Sequence, residues 1–330
     1  MQTNIAIVVT YNRLGLLTEC IQALRNQTKR LDNILVINNG STDGTEQWLK
    51  TQEDLTFITQ NNCGSAGGFN KGIQWAFKNN YSRIWCMDDD GYPKEDALEN
   101  LLKGEDDKEI RLLNCAVINK KDKRSFVWKT KNYKYIDDVK NNIIKGVGHP
   151  FNGTLIHRTI IERVGVPQTK FFLWGDETEY YYRITKKNEI PVYTIANSIH
   201  YHPATAFSLR RDWDYESAWK MYYYVRNRFF VHKSKFGNKA MALFNYVCFI
   251  MAFAGVILIF QKTNRRKKLR FMLWPVADAF TSKFDVTPSL VLNKIREGMN
   301  DSYIHPANML RSLLSFKNPF ASSAGTYLVK

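Results

Sequence analysis

The chain has 330 residues, of which 44% are hydrophobic, and a formal net charge of +16. That apolar content supports a folded core and argues against disorder. The charge is uneven, with residues 1–206 at +3 and residues 207–330 at +13, so the C-terminal part is expected to meet an anionic partner, a membrane surface, a lipid diphosphate or nucleic acid.

The opening MQTNIAIVVTYNR lacks the basic start and apolar run of a secretory signal. Ile5–Tyr11 is a β-branched run that suits a buried parallel strand. Leu14–Leu24 has helical spacing. Asn33–Asn38 reads as a second strand, closed by the turn Asn39–Gly44, and Thr45–Lys50 begins a helix. Leu55–Thr59 is a third strand, followed by the glycine-rich Gly64–Gly68 and a helix over Phe69–Phe77. A fourth strand, Arg83–Met87, runs into Asp88, Asp89 and Asp90. This alternation predicts an α/β fold with a mostly parallel sheet, helices on both faces and ligands at the carboxyl ends of the strands.

Residues 104–109 and 119–142 are charged and Asn/Lys-rich and read as surface loops or a small excursion. Phe151–Ile156 and Pro191–Ala196 read as strands, Asp176–Lys187 as a helix. From residue 213 the character changes. Tyr215–His232 is an aromatic-rich helix, 240–260 is an uncharged apolar segment, and a basic cluster follows through Arg270. The expected organisation is a catalytic domain over 1–212 and a helical, basic, membrane-associating region over 213–330. Segment 240–260 is long enough to span a bilayer. Positive charge on both flanks favours a monotopic or re-entrant helix, with Arg265–Lys268 gripping anionic lipid. The five cysteines form no CxxC pair, which suits a reducing compartment.

Four stretches carry chemistry. Asp88, Asp89 and Asp90 repel one another unless a cation or donors offset them, and oxygen ligands suit Mg²⁺ or Mn²⁺ bridging to phosphates. Asn62–Gly72 lets backbone approach an anion or ribose closely, although glycines also serve simple turns. Asp176 and Glu177 follow Trp174, where a carboxylate can act as general base to a hydroxyl and the indole can carry a sugar ring; helix capping by Asp176 remains the alternative. His200 and His202 share a face if their strand continues, and either imidazole could complete a carboxylate metal site.

Together these motifs resemble the family-2 glycosyltransferases, which have a GT-A fold. The resemblance covers roughly residues 4–232. Val9–Arg13 resembles the first-strand motif that contacts the nucleotide, and Asn38–Thr45 the family's STDGT turn, with Asn38 where Asp is usual. It implies donor contacts at Thr10, Tyr11, Arg13, Asn38, Asn62, Gly67, Asp88 and Asp89. It also implies a metal at Asp88 and Asp90 with His200 as third ligand, or His202 in its place. GGFN, WCMDDDG, FFLWGDETEYYYR and YYYVRNRFF are similar to the bacterial galactofuranosyltransferase and rhamnosyltransferase-like branch. That branch implies Glu177 as base with Asp176 supporting or replacing it, and Trp174 against the acceptor. The expected reaction is inverting transfer from a UDP-sugar, UDP-galactofuranose first, to a lipid-linked glycan at the cytoplasmic face of a membrane. A nucleotidyltransferase and a non-enzymatic nucleic-acid- or membrane-binding protein are the rivals. Charge concentrated beside an apolar helix favours membrane over nucleic acid.

Overall fold

The computed structural model describes residues 2–204 and 208–298. The chain divides into two compact units, Met1–Ala206 with Ser234–Gly237, and Phe207–Lys233 with Asn238–Lys330.

The first unit opens β1 (Asn4–Thr10), α1 (Leu14–Arg25), β2 (Asn33–Asn38), α2 (Thr45–Lys50), β3 (Thr56–Thr59), α3 (Gly64–Lys78) and β4 (Arg83–Asp88). It continues β5 (Tyr92–Pro93), α4 (Ala97–Leu102), β6 (Leu112–Asn119), β7 (Ser125–Thr130), β8 (Tyr133–Tyr135) and β9 (Ile143–Lys145). Then come β10 (Asn152–His157), α5 (Arg158–Val164), α6 (Asp176–Tyr182) and β11 (Val192–His202). The sheet runs β3-β2-β1-β4-β10-β6-β11-β5, with β7 and β8 hung on β6 and β9 on β11.

β1, β2, β3 and β4 pair in parallel, as the alternating pattern predicts. Beyond β4 the sheet departs from that expectation. β10 is antiparallel to both β4 and β6, and β5 and β9 are antiparallel to β11. The sheet is therefore mixed rather than mostly parallel. β1 to β4 are joined by the helical crossovers that parallel neighbours require. Further on, β6 and β11 also pair in parallel, with β10 antiparallel beside β6.

Period-2 alternation sends each strand's side chains into two cores. Ile5, Ile7 and Val9 join Leu35, Ile37, Phe69 and Ile73 on the α3 face. Ala6 and Val8 join Leu17, Ile21, Val36, Leu49 and Leu98 beneath α1, α2 and α4. The glycine-rich stretch is not a loop before a helix but the first turns of α3 itself. A Cβ on Gly68 would overlap Val9, and one on Gly72 would overlap Ile7. These two glycines let α3 lie close against β1.

In the second unit the helices are α7 (Trp219–Phe236, whose end returns to the first unit), α8 (Lys239–Phe260), α9 (Arg265–Thr281) and α10 (Pro288–Glu297). Asn238 caps α8, its side chain accepting from the Ala240 and Met241 amides. α8 buries one stripe, Ala242, Tyr246, Phe253 and Ile257. Tyr246 donates to the Val225 carbonyl of α7 at 3.1 Å and meets Phe280 of α9 edge-on. The rest of α8 is apolar and outward-facing, with Phe244 63%, Met251 61% and Ile259 70% exposed. α8 is the one described helix long and apolar enough to cross a membrane.

The basic cluster after α8 is not uniformly available to lipid. Lys268 is fully buried, donating to Asp212 at 2.7 Å and to Gln261 at 3.0 Å with Trp213 across its ammonium. Lys262, Arg265, Arg266, Lys267 and Arg270 are the exposed members.

Candidate active site

The carboxyl ends of β1 and β4 lie side by side, since Val9 registers with Asp88. The next residues, Thr10 and Asp89, therefore meet, and the Thr10 hydroxyl donates to Asp89 Oδ2 at 2.7 Å. Arg13 Nη1 reaches Asp89 Oδ1 at 3.1 Å and Asp90 Oδ2 at 2.9 Å. Thr10 and Arg13, expected as donor contacts, are thus partners of the acidic run.

The three carboxylates are held differently. Burial, then Asp90 and Asp89, push Asp88 well above the usual carboxylate range. Burial raises Asp89 to about 6 against the opposing pull of Thr10 and Arg13. Burial also acts on Asp90, but His202 and Arg13 outweigh it and bring the group down to about 2.

β11 runs to His202, so His200 and His202 do share a face. Their surroundings differ. His200 pairs across to Pro93 on β5 and is fully buried, with neither ring nitrogen hydrogen-bonded. Its Nε2 lies against Gly91, where any Cβ would overlap it. Burial, then His202, lower its pKa to about 3. His202, one residue pair nearer the strand end, puts Nε2 3.2 Å from Asp90 Oδ1.

Whether these groups suit a divalent cation can be tested on their hydrogen bonds. His202 Nδ1 lies 2.7 Å from the Pro203 carbonyl, which only accepts, so Nδ1 carries the proton. Nε2 then carries a second proton in the charged ring, the state that pulls Asp90 down, and a lone pair in the neutral ring, the state a cation requires. Asp90 Oδ1, the oxygen it faces, is buried with no hydrogen-bond partner. Two acceptors 3.2 Å apart suit a cation shared between them. Neighbouring ligands on an octahedral Mg²⁺ sit about 3 Å apart. The donor set fits, although among the described residues no three such side chains form a ready-made metal cluster.

The opposite wall comes from α6 and the loop before it. Phe172 and Trp174 both have left-handed φ, 65° and 55°, and Gly175 follows at 112°. Such backbone persists only when its surroundings impose it. Here the Phe172 carbonyl accepts from the Ala66 amide at 3.1 Å, and a Cβ on Gly64 would overlap it. Gly64 thereby ties the start of α3 to the Trp174 loop. Asp176 is 1% exposed and accepts from Ser65 Oγ at 2.8 Å through Oδ2, while Oδ1 has no partner. Burial, then Glu177, raise Asp176 well above the usual range. Glu177 is half-buried, accepts from the Gly175 amide at 3.4 Å, and its charge is felt at Asp88. Glu179 is structural, buried against Arg183 and Gln168.

Three expected donor contacts are used by the fold. Asn38 is fully buried, its oxygen accepting from the Ser41 amide at 3.0 Å and its amide donating to Thr59 at 3.3 Å. That geometry shapes the turn rather than offering the side chain to a base. Gly67 is buried inside α3 against Cys63. Asn62 is exposed, but its oxygen accepts from the Gly64 amide at 2.9 Å. Tyr11, 47% exposed beside this cluster, presents an open aromatic face.

Comparison with known proteins follows this geometry. The chain is 26% identical over 211 residues to galactofuranosyltransferase GlfT1 of Mycobacterium tuberculosis, covering 60% of this chain and 69% of that one. Among solved structures it is similar to S. aureus TarS 1–349 in complex with UDP-GlcNAc, at TM-score 0.54 and 14% identity, covering 90% and 88% of the two chains. Against a longer TarS chain it spans 55% of the length. It is also similar to the mannosyltransferase PcManGT from Pyrobaculum calidifontis in complex with GDP-Man and Mn²⁺, at TM-score 0.50 and 16% identity, covering 94% and 86%. These likenesses show the GT-A fold. Residues 5–216 match the family model described as Glycosyl transferase family 2, and the chain therefore belongs to that family of nucleotide-sugar-dependent glycosyltransferases.

Proposed function

We propose that the chain is an inverting transferase that moves galactofuranose from UDP-galactofuranose to a hydroxyl of a lipid-linked glycan. The sugar is suggested by the GlfT1 relatives. The mechanism rests on one observation, the convergence of Asp88, Asp90 and His202 at the end of β4 with Glu177 in electrostatic reach. Asp88, Asp90 and His202 would hold Mg²⁺ or Mn²⁺, which when bound neutralises the charge building on the leaving diphosphate. Arg13 and Thr10 hold Asp89 and Asp90 in place. Trp174 and Tyr11 supply aromatic surface for acceptor and donor. Glu177 takes the acceptor hydroxyl proton as that oxygen bonds to the anomeric carbon and the carbon–diphosphate bond breaks on the opposite face.

A panel of UDP-, dTDP- and GDP-sugars with Mn²⁺ tests this reading. The expected result is release of UDP from UDP-galactofuranose, abolished by chelator. Release of pyrophosphate from a nucleoside triphosphate, or turnover indifferent to chelator, would overturn it.

The same reading places the enzyme at the cytoplasmic face of the membrane. α8 is held along one side by α7 and α9, and α9 carries the buried Lys268 and Asp278. A crossing α8 would have to leave those neighbours, so a helix lying in the interface fits better. The exposed cations from Lys262 to Arg270 adjoin its apolar end. Sedimentation with phosphatidylglycerol vesicles should carry the protein down, and the double change Met251→Asp with Ile259→Asp should leave most of it in the supernatant. Equal sedimentation of the two would remove α8 from membrane contact.

A further inference from the structure

The segment 119–142, expected as surface loop, contains β7, and β7 carries Trp128 into the site. The Trp128 ring lies 4.9 Å, centroid to centroid, from His202 and 5.1 Å from His149, tilted to each by 49° and 39°. It is an aromatic slab between two imidazoles, on a strand that continues the sheet past β6. His202 makes two polar contacts, Nδ1 to the Pro203 carbonyl and Nε2 to Asp90 Oδ1. Ring-nitrogen contacts act in the plane of the imidazole, and the tilted indole of Trp128 limits rotation of that plane.

We propose that Trp128 is a positioning residue that fixes the plane of His202 so that Nε2 stays on Asp90 Oδ1. The inference rests on the reading of His202 as a metal ligand. Groups that orient metal-binding histidines without touching the metal change affinity about tenfold or more when removed. The tilted aromatic contact gives this role to a residue that can make no bond to the metal. Its consequence is that the hairpin, distant in sequence from every expected motif, sets metal affinity.

The test is Mn²⁺ binding by the full chain, read as the electron paramagnetic resonance signal of free Mn²⁺, which needs no turnover. Trp128→Ala should weaken Mn²⁺ about tenfold, and Trp128→Phe should recover most of the loss. His202→Ala should weaken it at least as much, and the double variant should bind no more weakly than His202→Ala alone, because both changes act on one ligand. Trp128→Leu, which keeps apolar bulk without a ring, serves if the alanine variant does not fold. Wild-type affinity in Trp128→Ala or Trp128→Leu beside a weakened His202→Ala would overturn the inference and leave the metal reading standing. Additive losses would likewise overturn it. Unchanged affinity in His202→Ala would overturn the metal reading itself and this inference with it.

Discussion

Asp90→Asn should lower turnover about 10³-fold, roughly 4 kcal/mol of transition-state stabilisation, while leaving the fold intact. The substitution keeps the shape and removes the charge. Asp90 is where the site's cationic and metal-directed contacts converge, with Arg13 on one oxygen and His202 beside the other. Arg13 would keep its second partner, Asp89, at 3.1 Å. The β4 core below, Ile84 to Met87, is fully buried and untouched. Removing one of three like charges also relieves Asp88, whose proton affinity Asp90 helps to raise. The lost charge contacts to Arg13 and His202, which hold Asp90 at about 2, are only partly offset by that relief, so the apo protein should stay folded but melt below the wild-type temperature, and the stabilisation by Mn²⁺ should vanish. Wild-type turnover, or an unchanged Mn²⁺-induced shift in melting temperature, would remove Asp90 from the mechanism.

The same cluster has a pH signature with a definite sign. Asp89 is raised from 3.8 to about 6. Between those values the folded state holds more proton than the unfolded one. Without a cation, stability therefore falls as pH rises from about 4 through 6. A bound divalent cation needs the carboxylates ionised, so its stabilising effect grows over the same interval.

How much of this was legible depended on what each segment buries. β1, β2 and β4 are continuous apolar runs because helices cover both faces, and such runs can be read from residue type alone. β6 (Leu112–Asn119) was not read as a strand. It is interrupted by Asn114, which is fully buried yet satisfied by Thr154 on β10 at 2.8 Å. A cross-strand partner forty residues away leaves no local trace. β7 is hidden by the charged stretch around it, with Lys129 exposed beside the half-buried Phe126 and Trp128. The signal available was an aromatic at alternate positions in a polar stretch, Phe126 and Trp128.

The site shows the same limit. Spacing alone placed His200 and His202 on one face. The choice between them depends on β5, a two-residue strand that covers His200 and stops short of His202. Gly64 to Gly68 reads as a loop before a helix because glycine discourages helix interiors. Here close packing against β1 and against Phe172 overrides that propensity. Asn38 followed its family position, but complete burial turned its oxygen onto the Ser41 amide.

Glu177→Gln should lower turnover by about 10²- to 10⁴-fold, the range for loss of a general base, with little change in donor KM. Asp176→Asn should cost far less. The two carboxylates are adjacent in sequence but differ in exposure. Glu177 is half-buried in the first turn of α6 and accepts from the Gly175 amide. Asp176 is 1% exposed, turned onto Ser65, and pushed toward its protonated form by burial and by Glu177. A neutral carboxylic acid in that position is closely mimicked by asparagine, which can still accept from the Ser65 hydroxyl. On the proposed mechanism Asp176 fixes the first turn of α6 and Glu177 would meet the substrate. Glu177→Asp should retain part of the activity, because the base survives one methylene further from its target. Initial rates of UDP release across a pH series for the three variants decide the matter. Equal loss in Asp176→Asn and Glu177→Gln, with both proteins folded, would exchange or share the role. Full activity in Glu177→Gln would place the base elsewhere in the cleft.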